Sequence, residues 1–389
     1  MKHVAFFSRA IPLHGIGGME RVTWDLACAF VRRGVMVTVV TSAVEGQPAY
    51  FESDGVRVTA IHGTTHNRYS KAFWSGSLQA FDVLVKQGME AAIGVSAGAR
   101  AIALHRPNRH VPVLMQAHGS SIGEFISKWR KPTAKSMLGS LRNLLWISKD
   151  NHVLSRYDAI VSISAAVKEQ IERSAFLAKK HAPIEVVANG IDDRVFHISR
   201  AAREEVRHRM GFDSTSKVIV SVSRLHRQKG TEELLTAFER MIRFNPCLRL
   251  VIVGDGPDRA ALDAFVSRRR LAAQVTFTGA LTRDGVAHVL SAADTFCFLT
   301  RRVEGNPLNM MEALASGLPL VVSHGALNSI PSVEGLFGVD PTDTTQVKSA
   351  LDAALKFAAD GKRTELPDSL HLDTCVSEYL RIVEGMTRR

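Results

Sequence analysis

Two cations, Arg224 and Lys229, lie in a short segment between an apolar run and a run of helix-favouring residues. The apolar run covers residues 218–222 and the helix-favouring run covers residues 232–238. A loop at the end of a strand can bring two such cations onto one diphosphate. The guanidinium then forks onto two oxygens and the ammonium acts as a point charge. A solvated basic loop explains this segment equally well when it is taken alone.

Two glutamates form a second candidate for chemistry. Asn306 and Pro307 are typical of a helix N-cap and a first helical residue, and Gly317 is typical of a helix stop. This pattern places Glu304 in a loop and Glu312 inside a helix among apolar neighbours. A carboxylate in such a helix needs a partner, and ligand hydroxyls would serve. A salt bridge within the protein is the alternative.

A glycine-rich segment and a histidine complete the set of candidates. Gly15, Gly17 and Gly18 precede a helical pattern, so backbone N–H groups there could approach a phosphate or sugar oxygen. The spacing is not G-x-G-x-x-G, and a flexible turn is the alternative. His118 follows the apolar run 113–117. Most histidines in such places only form structural hydrogen bonds, but the end of a strand favours a site.

Short apolar runs separated by helix-length segments must position these residues. We predict strands in the first half at 3–7, 36–41, 56–61, 92–95, 111–115, 159–163 and 184–187. In the second half we predict strands at 218–222, 248–253, 275–277, 295–299 and 320–322. Alternation of this kind indicates parallel pairing through right-handed crossovers. The fold class is therefore α/β, and ligands should bind beyond the carboxyl ends of the strands.

The chain length indicates two domains. Its 389 residues exceed the roughly 250–300 at which a single hydrophobic core stops growing. We predict an acceptor-side Rossmann-like domain over 1–190 and a donor domain over 191–365. The stretch 192–216 is polar and strand-free, which favours a linker. The segment 366–389 carries a helical apolar stripe that must pack on another surface.

Composition limits the partners and the compartment. The formal net charge of +11 attracts polyanions, but no nucleic-acid-binding signature is present. No run reaches the ~18 apolar residues of a membrane span, and no signal peptide is expected. Four separated cysteines without ligand spacing favour a cytoplasmic protein. The cationic amphipathic segment 125–149 would suit anionic lipid headgroups, and an ordinary helix packed on its own domain is equally consistent.

Together these residues resemble glycosyltransferase family 4, the retaining family with the GT-B fold of two Rossmann-like domains facing each other across a cleft. The family's E-x7-E signature corresponds to Glu304 and Glu312, and its R-x4-K-G loop to Arg224, Lys229 and Gly230. The segment 189–192 matches its asparagine-glycine-acid hinge, and 17–20 its amino-terminal glycine loop. The match is strongest from about residue 186 to residue 343.

The resemblance implies a role for each candidate. Glu304 would contact the hydroxyls of the donor sugar and Glu312 the ribose. Arg224 and Lys229 would hold the diphosphate, and His118 would contact the sugar at the transfer point. The remaining residues expected to contact the donor are Gly17, Gly18, Asn306, Pro307 and Leu308. The family usually needs no metal, so we expect no metal or other cofactor. The family's carboxyl-terminal helix crosses back to the first domain, which would give the apolar stripe in 366–389 its packing surface.

Two features depart from the family pattern. Relatives commonly have paired glycines and an early acid after the strand that ends at Val322, where this chain has Ser323, His324 and Gly325. Relatives usually have uncharged residues before the first signature glutamate, where this chain has Arg301 and Arg302. The sequence assigns these two arginines no role.

The expected function is retaining transfer of a hexose-type sugar from a UDP- or GDP-linked donor. The acceptor would be a glycan or a lipid-linked molecule in the assembly of cell-surface polysaccharide or lipopolysaccharide. The location would be cytoplasmic, at most peripheral on a membrane. A nucleotide-sugar epimerase and a non-catalytic nucleotide-sugar binder are the alternatives, and the E-x7-E pattern argues against the epimerase.

Overall fold

The computed structural model describes residues 1–15, 17–105, 108, 110–119, 152–175 and 181–387. The chain forms two compact units. The first comprises Met1–Gly190 and Leu372–Arg389, and the second comprises Ile191–His371. Each unit is built on its own sheet. The predicted segment 125–149 lies outside the described residues.

The first unit contains an eight-stranded sheet in the order β3-β4-β2-β1-β5-β6-β7-β8. Its strands are β1 (His3–Phe7), β2 (Met36–Ser42), β3 (Tyr50–Ser53), β4 (Val56–Ile61), β5 (Ala91–Val95), β6 (Val113–Ala117), β7 (Ala159–Ser162) and β8 (Ile184–Val186). All pairs are parallel except β3 with β4. The sequence did not predict β3, because this edge strand alternates exposed and half-buried residues and has no apolar run.

Helices cover the first sheet. They include α1 (Gly18–Arg32), α2 (Lys71–Lys86), α3 (Arg100–His105) and α4 (Ala165–Ala175). On α1, Val22, Leu26 and Phe30 recur at helical spacing and are buried against the sheet. The ring of Phe30 meets Phe6 of β1 edge-to-face, with centroids 5.8 Å apart. This packing holds α1 against the sheet.

The second unit contains a six-stranded parallel sheet in the order β11-β10-β9-β12-β13-β14. Its strands are β9 (Lys217–Val222), β10 (Leu248–Val253), β11 (Val275–Gly279), β12 (Thr295–Phe298), β13 (Leu320–Ser323) and β14 (Leu336–Val339). Its helices are α5 (Arg200–Arg209), α6 (Thr231–Ile242), α7 (Arg259–Arg268), α8 (Arg283–Ala292), α9 (Leu308–Ala315), α10 (His324–Leu327) and α11 (Thr344–Ala359). The edge strand β14 was also not predicted, although its four residues form a short apolar run.

The prediction of a linker at 192–216 is wrong, because this stretch contains α5, which packs on the second unit. Val206 of α5 is fully buried. Arg203 donates to Asp294 at 2.6 Å, and Arg207 lies 3.5 Å from the same carboxylate. The sequence did not predict this helix because its apolar face is narrow. The arginines beside that face bind groups in α8 and in the residues that directly follow α8.

The last helix, α12 (Leu372–Thr387), belongs to the first unit. Its residues Val376, Tyr379 and Val383 are buried in the same core as Phe6 and Phe30. The predicted domain boundary at 365 is too early. The second unit extends to His371 because the Leu370 carbonyl accepts a hydrogen bond from the Ile191 amide at 2.8 Å.

Candidate functional site

The loop after β9 carries the two predicted diphosphate ligands. Leu225 is fully buried and anchors this loop, whereas Arg224 beside it is exposed. Arg224 makes no hydrogen bond or ion pair with the described residues. A 3-10 turn over Arg227–Lys229 then leads into α6. The loop therefore presents one guanidinium that is available to a ligand.

Lys229 and Glu304, which the sequence placed in separate motifs, form an ion pair. The Lys229 ammonium lies 2.9 Å from Glu304 Oε1, and both side chains are largely shielded from solvent. The Thr300 hydroxyl donates to the same oxygen at 2.8 Å. The Lys229 ammonium also lies 5.1 Å from the ring centroid of Phe298. Two donors thus hold Oε1, and no described residue hydrogen-bonds Glu304 Oε2.

Gly230 makes this pairing possible. Its φ is +75°, in the left-handed region that favours glycine. A Cβ at this position would lie 2.0 Å from the carbonyl oxygen of Leu299, at the end of β12. The loop after β9 and the end of β12 therefore approach closely only because residue 230 has no side chain.

Of the two arginines that departed from the family pattern, Arg301 makes a structural contact through its side chain, whereas Arg302 makes one through its backbone amide. Arg301 forms an ion pair with Glu233 in the first turn of α6, and its amide donates to the Gln228 carbonyl at 2.8 Å. The Arg302 amide donates to the Thr300 hydroxyl at 3.2 Å. These contacts tie the loop after β12 to the segment that carries Lys229.

The second departure lies at the start of α10, directly after β13, and packs against the same segment. The Glu304 amide donates to the Gly325 carbonyl at 3.1 Å. A Cβ on Gly325 would lie 2.6 Å from the Arg302 carbonyl oxygen. A glycine is therefore kept here for close packing, although the paired glycines of relatives are absent.

Helix α9 begins later than predicted. It starts at Leu308, and Pro307 is the N-cap, with extended backbone angles. Asn306 is buried and does not cap the helix, because its Nδ2 donates to the Ser329 carbonyl at 3.1 Å. The Asn306 Oδ1 is buried and has no hydrogen-bond partner among the described residues.

Glu312 is half-buried on α9, between the fully buried Met311 and Ala313. The helix is positioned by Asn309, whose Nδ2 donates to the Val222 carbonyl at the end of β9 over 2.7 Å. The sequence did not single out Asn309 or Thr300. A polar residue at the start of an apolar helix was the only signal for Asn309.

The glycine loop of the first unit carries a carboxylate. Gly17 is the N-cap of α1 and has extended backbone angles, and Gly18 is the first residue of the helix. A Cβ on Gly17 would lie 2.0 Å from Glu20 Oε2, so glycine makes room for this carboxylate. A negative charge here favours a sugar hydroxyl over a phosphate among the two ligands predicted for the loop.

His118 follows β6 in the first unit. The residue is half-buried, and its Nε2 is shielded and lacks a hydrogen-bond partner among the described residues. Burial lowers the pKa of His118 to about 4. The imidazole is therefore neutral at pH 7 and suited to exchanging hydrogen bonds with a hydroxyl.

This lowered pKa predicts a pH dependence of stability. The folded pKa is about 4 and the ordinary value is 6.5, so between these values the unfolded chain binds a proton that the folded chain does not. The free energy of unfolding should therefore fall as the pH decreases from 6.5 to 4. Between pH 7 and pH 5 the contribution of His118 is about 2 kcal/mol.

Urea unfolding of the wild type and His118→Gln at pH 7 and pH 5 measures this contribution. The wild type should lose more stability than the variant over this interval. Equal losses in both proteins would contradict the lowered pKa.

The predicted site residues divide between the units. The second unit contains Arg224, Lys229, Glu304, Asn306, Pro307, Leu308 and Glu312, and the first contains Gly17, Gly18 and His118. Among the described residues, no group of three or more His, Cys, Asp or Glu side chains could hold a metal ion. In the same part of the chain, no helix is long and apolar enough to span a membrane.

Two doubly wound α/β units, one with strand-end cations beside a signature glutamate, define the GT-B class of fold. The sequence model described as Glycosyl transferases group 1 matches residues 202–356. The model described as Glycosyltransferase Family 4 matches residues 16–195. The chain belongs to the group 1 glycosyltransferases of family 4. The predicted family and fold class are thus confirmed.

The curated relatives align with this chain over only part of their own length. An alpha-monoglucosyldiacylglycerol synthase from Acholeplasma laidlawii is 22% identical over 206 residues, which cover 52% of this chain and 48% of the relative. A GDP-mannose-dependent monoacylated alpha-(1-6)-phosphatidylinositol monomannoside mannosyltransferase from Corynebacterium glutamicum is 29% identical over 252 residues, 61% of this chain and 59% of the relative. The chain thus spans about half the length of these relatives.

Similarity of structure extends over the whole chain. The sucrose-phosphate synthase of Thermosynechococcus elongatus superimposes with a TM-score of 0.73 at 18% identity, covering 100% of this chain and 96% of the other. At this identity the likeness concerns the fold alone.

Proposed function

We propose that this protein transfers a hexose-type sugar from a nucleotide-diphosphate sugar to a glycan or lipid-linked acceptor, with retention of the anomeric configuration. The observation that carries the proposal is the Lys229–Glu304 ion pair, with the exposed Arg224 on the same loop as Lys229. It joins a cation for the diphosphate to a carboxylate for the sugar. Both parts of one donor molecule would be bound at adjacent loops.

The chemistry follows from where charge develops. As the glycosidic bond breaks, the leaving diphosphate gains negative charge, and preorganised cations stabilise it. Arg224 and Lys229 are the cations in place, and the positive end of α6 begins directly after Gly230. These groups supply the neutralisation that a divalent metal provides in other transferases, so we propose that no metal is required.

The two glutamates would divide the donor between them. Glu304 Oε2 would accept hydrogen bonds from sugar hydroxyls while Lys229 and Thr300 hold Oε1. Glu312 would bind the ribose, as the family resemblance implies. In the first unit, the neutral His118 and the Gly17–Gly18 turn would contact the sugar.

The acceptor and the location are proposed from the relatives and the charge. The names of the two relatives specify a diacylglycerol glycolipid and a phosphatidylinositol mannoside, which favour a lipid-linked acceptor in cell-surface glycan assembly. A chain of net charge +11 would be drawn to an anionic membrane surface from the cytoplasm. The nucleotide would be UDP or GDP.

Incubation with a panel of UDP-, GDP- and ADP-linked hexoses tests the proposal. One donor should release its nucleoside diphosphate, slowly to water and faster with an acceptor extract. Conversion of the donor to another nucleotide sugar without release would identify an epimerase. Binding without any reaction would identify a non-catalytic binder, and either result would overturn the proposal.

A further inference from the structure

The first unit contains a half-buried arginine that has no counter-ion among the described residues. Arg9 follows β1, and its guanidinium carbon lies 5.1 Å from the ring centroid of Tyr69. Its Nη1 donates to the Asn67 carbonyl over 3.4 Å. Its Nε is buried and has no partner among the described residues, and no described carboxylate forms an ion pair with it. An arginine held in this way can bind an oxyanion.

The ring beneath Arg9 is fixed in place. The Tyr69 ring stacks on Trp74 with centroids 4.8 Å apart, and its hydroxyl donates to the Val95 carbonyl at 3.3 Å. These contacts join the loop after β4 to the end of β5. The guanidinium is therefore presented at the carboxyl edge of the first sheet, where ligands of doubly wound sheets bind.

A second basic side chain lies on the same loop, directly before Asn67. His66 packs on the ring of His14, with centroids 5.3 Å apart, and makes no hydrogen bond with a described residue. His14, by contrast, is fully engaged, because its Nδ1 accepts from the Ile11 amide and its Nε2 lies 3.1 Å from the Ala43 carbonyl oxygen. His66 is thus the available imidazole.

One residue at this edge has an uncommon backbone conformation. Ser96, directly after β5, has a φ of +52°, an uncommon conformation for a residue with a side chain. Uncommon backbone conformations of this kind concentrate at ligand sites. Burial raises the pKa of Tyr69 to about 12, the charge of Arg9 lowers it and that of Glu20 adds to the increase. Glu20 forms no ion pair with Arg9 among the described residues.

We propose that Arg9, seated on Tyr69, is an anion subsite in the first unit that binds a phosphate or carboxylate group of the acceptor, with His66, on the loop that carries Tyr69, as a second basic side chain. The inference rests on the proposed function, because it treats this unit as the acceptor side. It adds that the acceptor carries a negatively charged group.

Three ligands that share one scaffold test the subsite. Glucose, glucose 6-phosphate and glucuronate differ in charge at one carbon, and ligand-detected NMR titration gives their dissociation constants. The wild type should bind at least one of the two anions about ten- to a hundredfold more tightly than glucose. A phosphorylated acceptor is indicated if glucose 6-phosphate binds more tightly than glucose, and a carboxylated acceptor if glucuronate does.

Arg9→Gln should abolish this preference, and Arg9→Lys should keep only part of it, because lysine lacks the forked geometry. Arg57→Gln is the matched control, since it removes the same charge from an exposed position on the same sheet. It should retain the preference. Circular dichroism establishes that each variant is folded, and Arg9→Lys serves alone if Arg9→Gln does not fold.

The proposal is overturned if all three ligands bind equally or if Arg9→Gln keeps the preference for the anion. This measurement needs no turnover. A failure of the subsite is therefore distinguishable from a failure of the proposed sugar transfer, which shows as absence of nucleotide release with every donor.

Discussion

Glu304→Ala should reduce turnover by at least about a hundredfold and leave binding of the bare nucleoside diphosphate intact or slightly tighter. The turnover falls because contacts made to the sugar in the transition state raise the rate. Nucleotide binding is preserved because the substitution frees the Lys229 ammonium, which lies 2.9 Å from Glu304 Oε1 in the folded protein. A freed ammonium is available to the diphosphate.

Glu312→Ala should have the opposite signature. If Glu312 binds the ribose, its loss removes a charge-assisted hydrogen bond to the nucleotide. The expected cost is about 1.5–3 kcal/mol, or roughly ten- to a hundredfold in affinity. Calorimetry with the nucleoside diphosphate on both variants separates the two roles.

Glu334→Ala is the control for both glutamates. Glu334 is exposed and pairs with Lys362 in the same unit, and exposed pairs contribute little. This variant should match the wild type in affinity and turnover. The assigned roles are wrong if Glu304→Ala loses nucleotide affinity as badly as Glu312→Ala, or if neither variant changes it.

Gly230→Ala should destabilise the second unit by more than about 3 kcal/mol. Two effects add. Alanine disfavours the φ of +75°, and its Cβ would lie 2.0 Å from the Leu299 carbonyl oxygen, so backbone must move. The displaced loop carries Lys229, and turnover should fall along with stability.

Gly211→Ala isolates the first of these effects. Gly211 has a similar φ of +69°, but nothing lies within 4 Å of a Cβ placed there. Its substitution should cost only the backbone term, about 1–2 kcal/mol. Thermal or urea unfolding measures both variants. Equal destabilisation would show that the contact with Leu299 is unimportant.

The buried strands of both sheets were predictable because they are continuous apolar runs between helical patterns. For example, the predicted 248–253 and 56–61 are the observed β10 and β4. The edge strands β3 and β14 were not predicted, whereas the edge strands β8 and β11 were. Both missed strands have only four residues, and none of the residues of β3 is fully buried. Helix α5 was missed because its stability depends on Asp294, far along the chain.

The candidate site was predictable in residue type and not in geometry. Arg224, Lys229, Glu304 and Glu312 follow recognisable spacings. The Lys229–Glu304 contact joins residues 75 positions apart and depends on the pairing of β9 with β12. Thr300 and Arg9 carry no sequence signal, since their significance comes from which groups the fold places beside them.

Nucleotide release from the donor panel, compared between the wild type, Arg224→Gln and Arg227→Gln, tests the central claim most directly. Arg227 is an exposed arginine of the same loop with no assigned role. We predict that one nucleotide-diphosphate sugar supports release, that Arg224→Gln raises its KM about tenfold or more, and that Arg227→Gln matches the wild type. Release from no donor, or equal losses in the two variants, would contradict a diphosphate site built on Arg224 and Lys229.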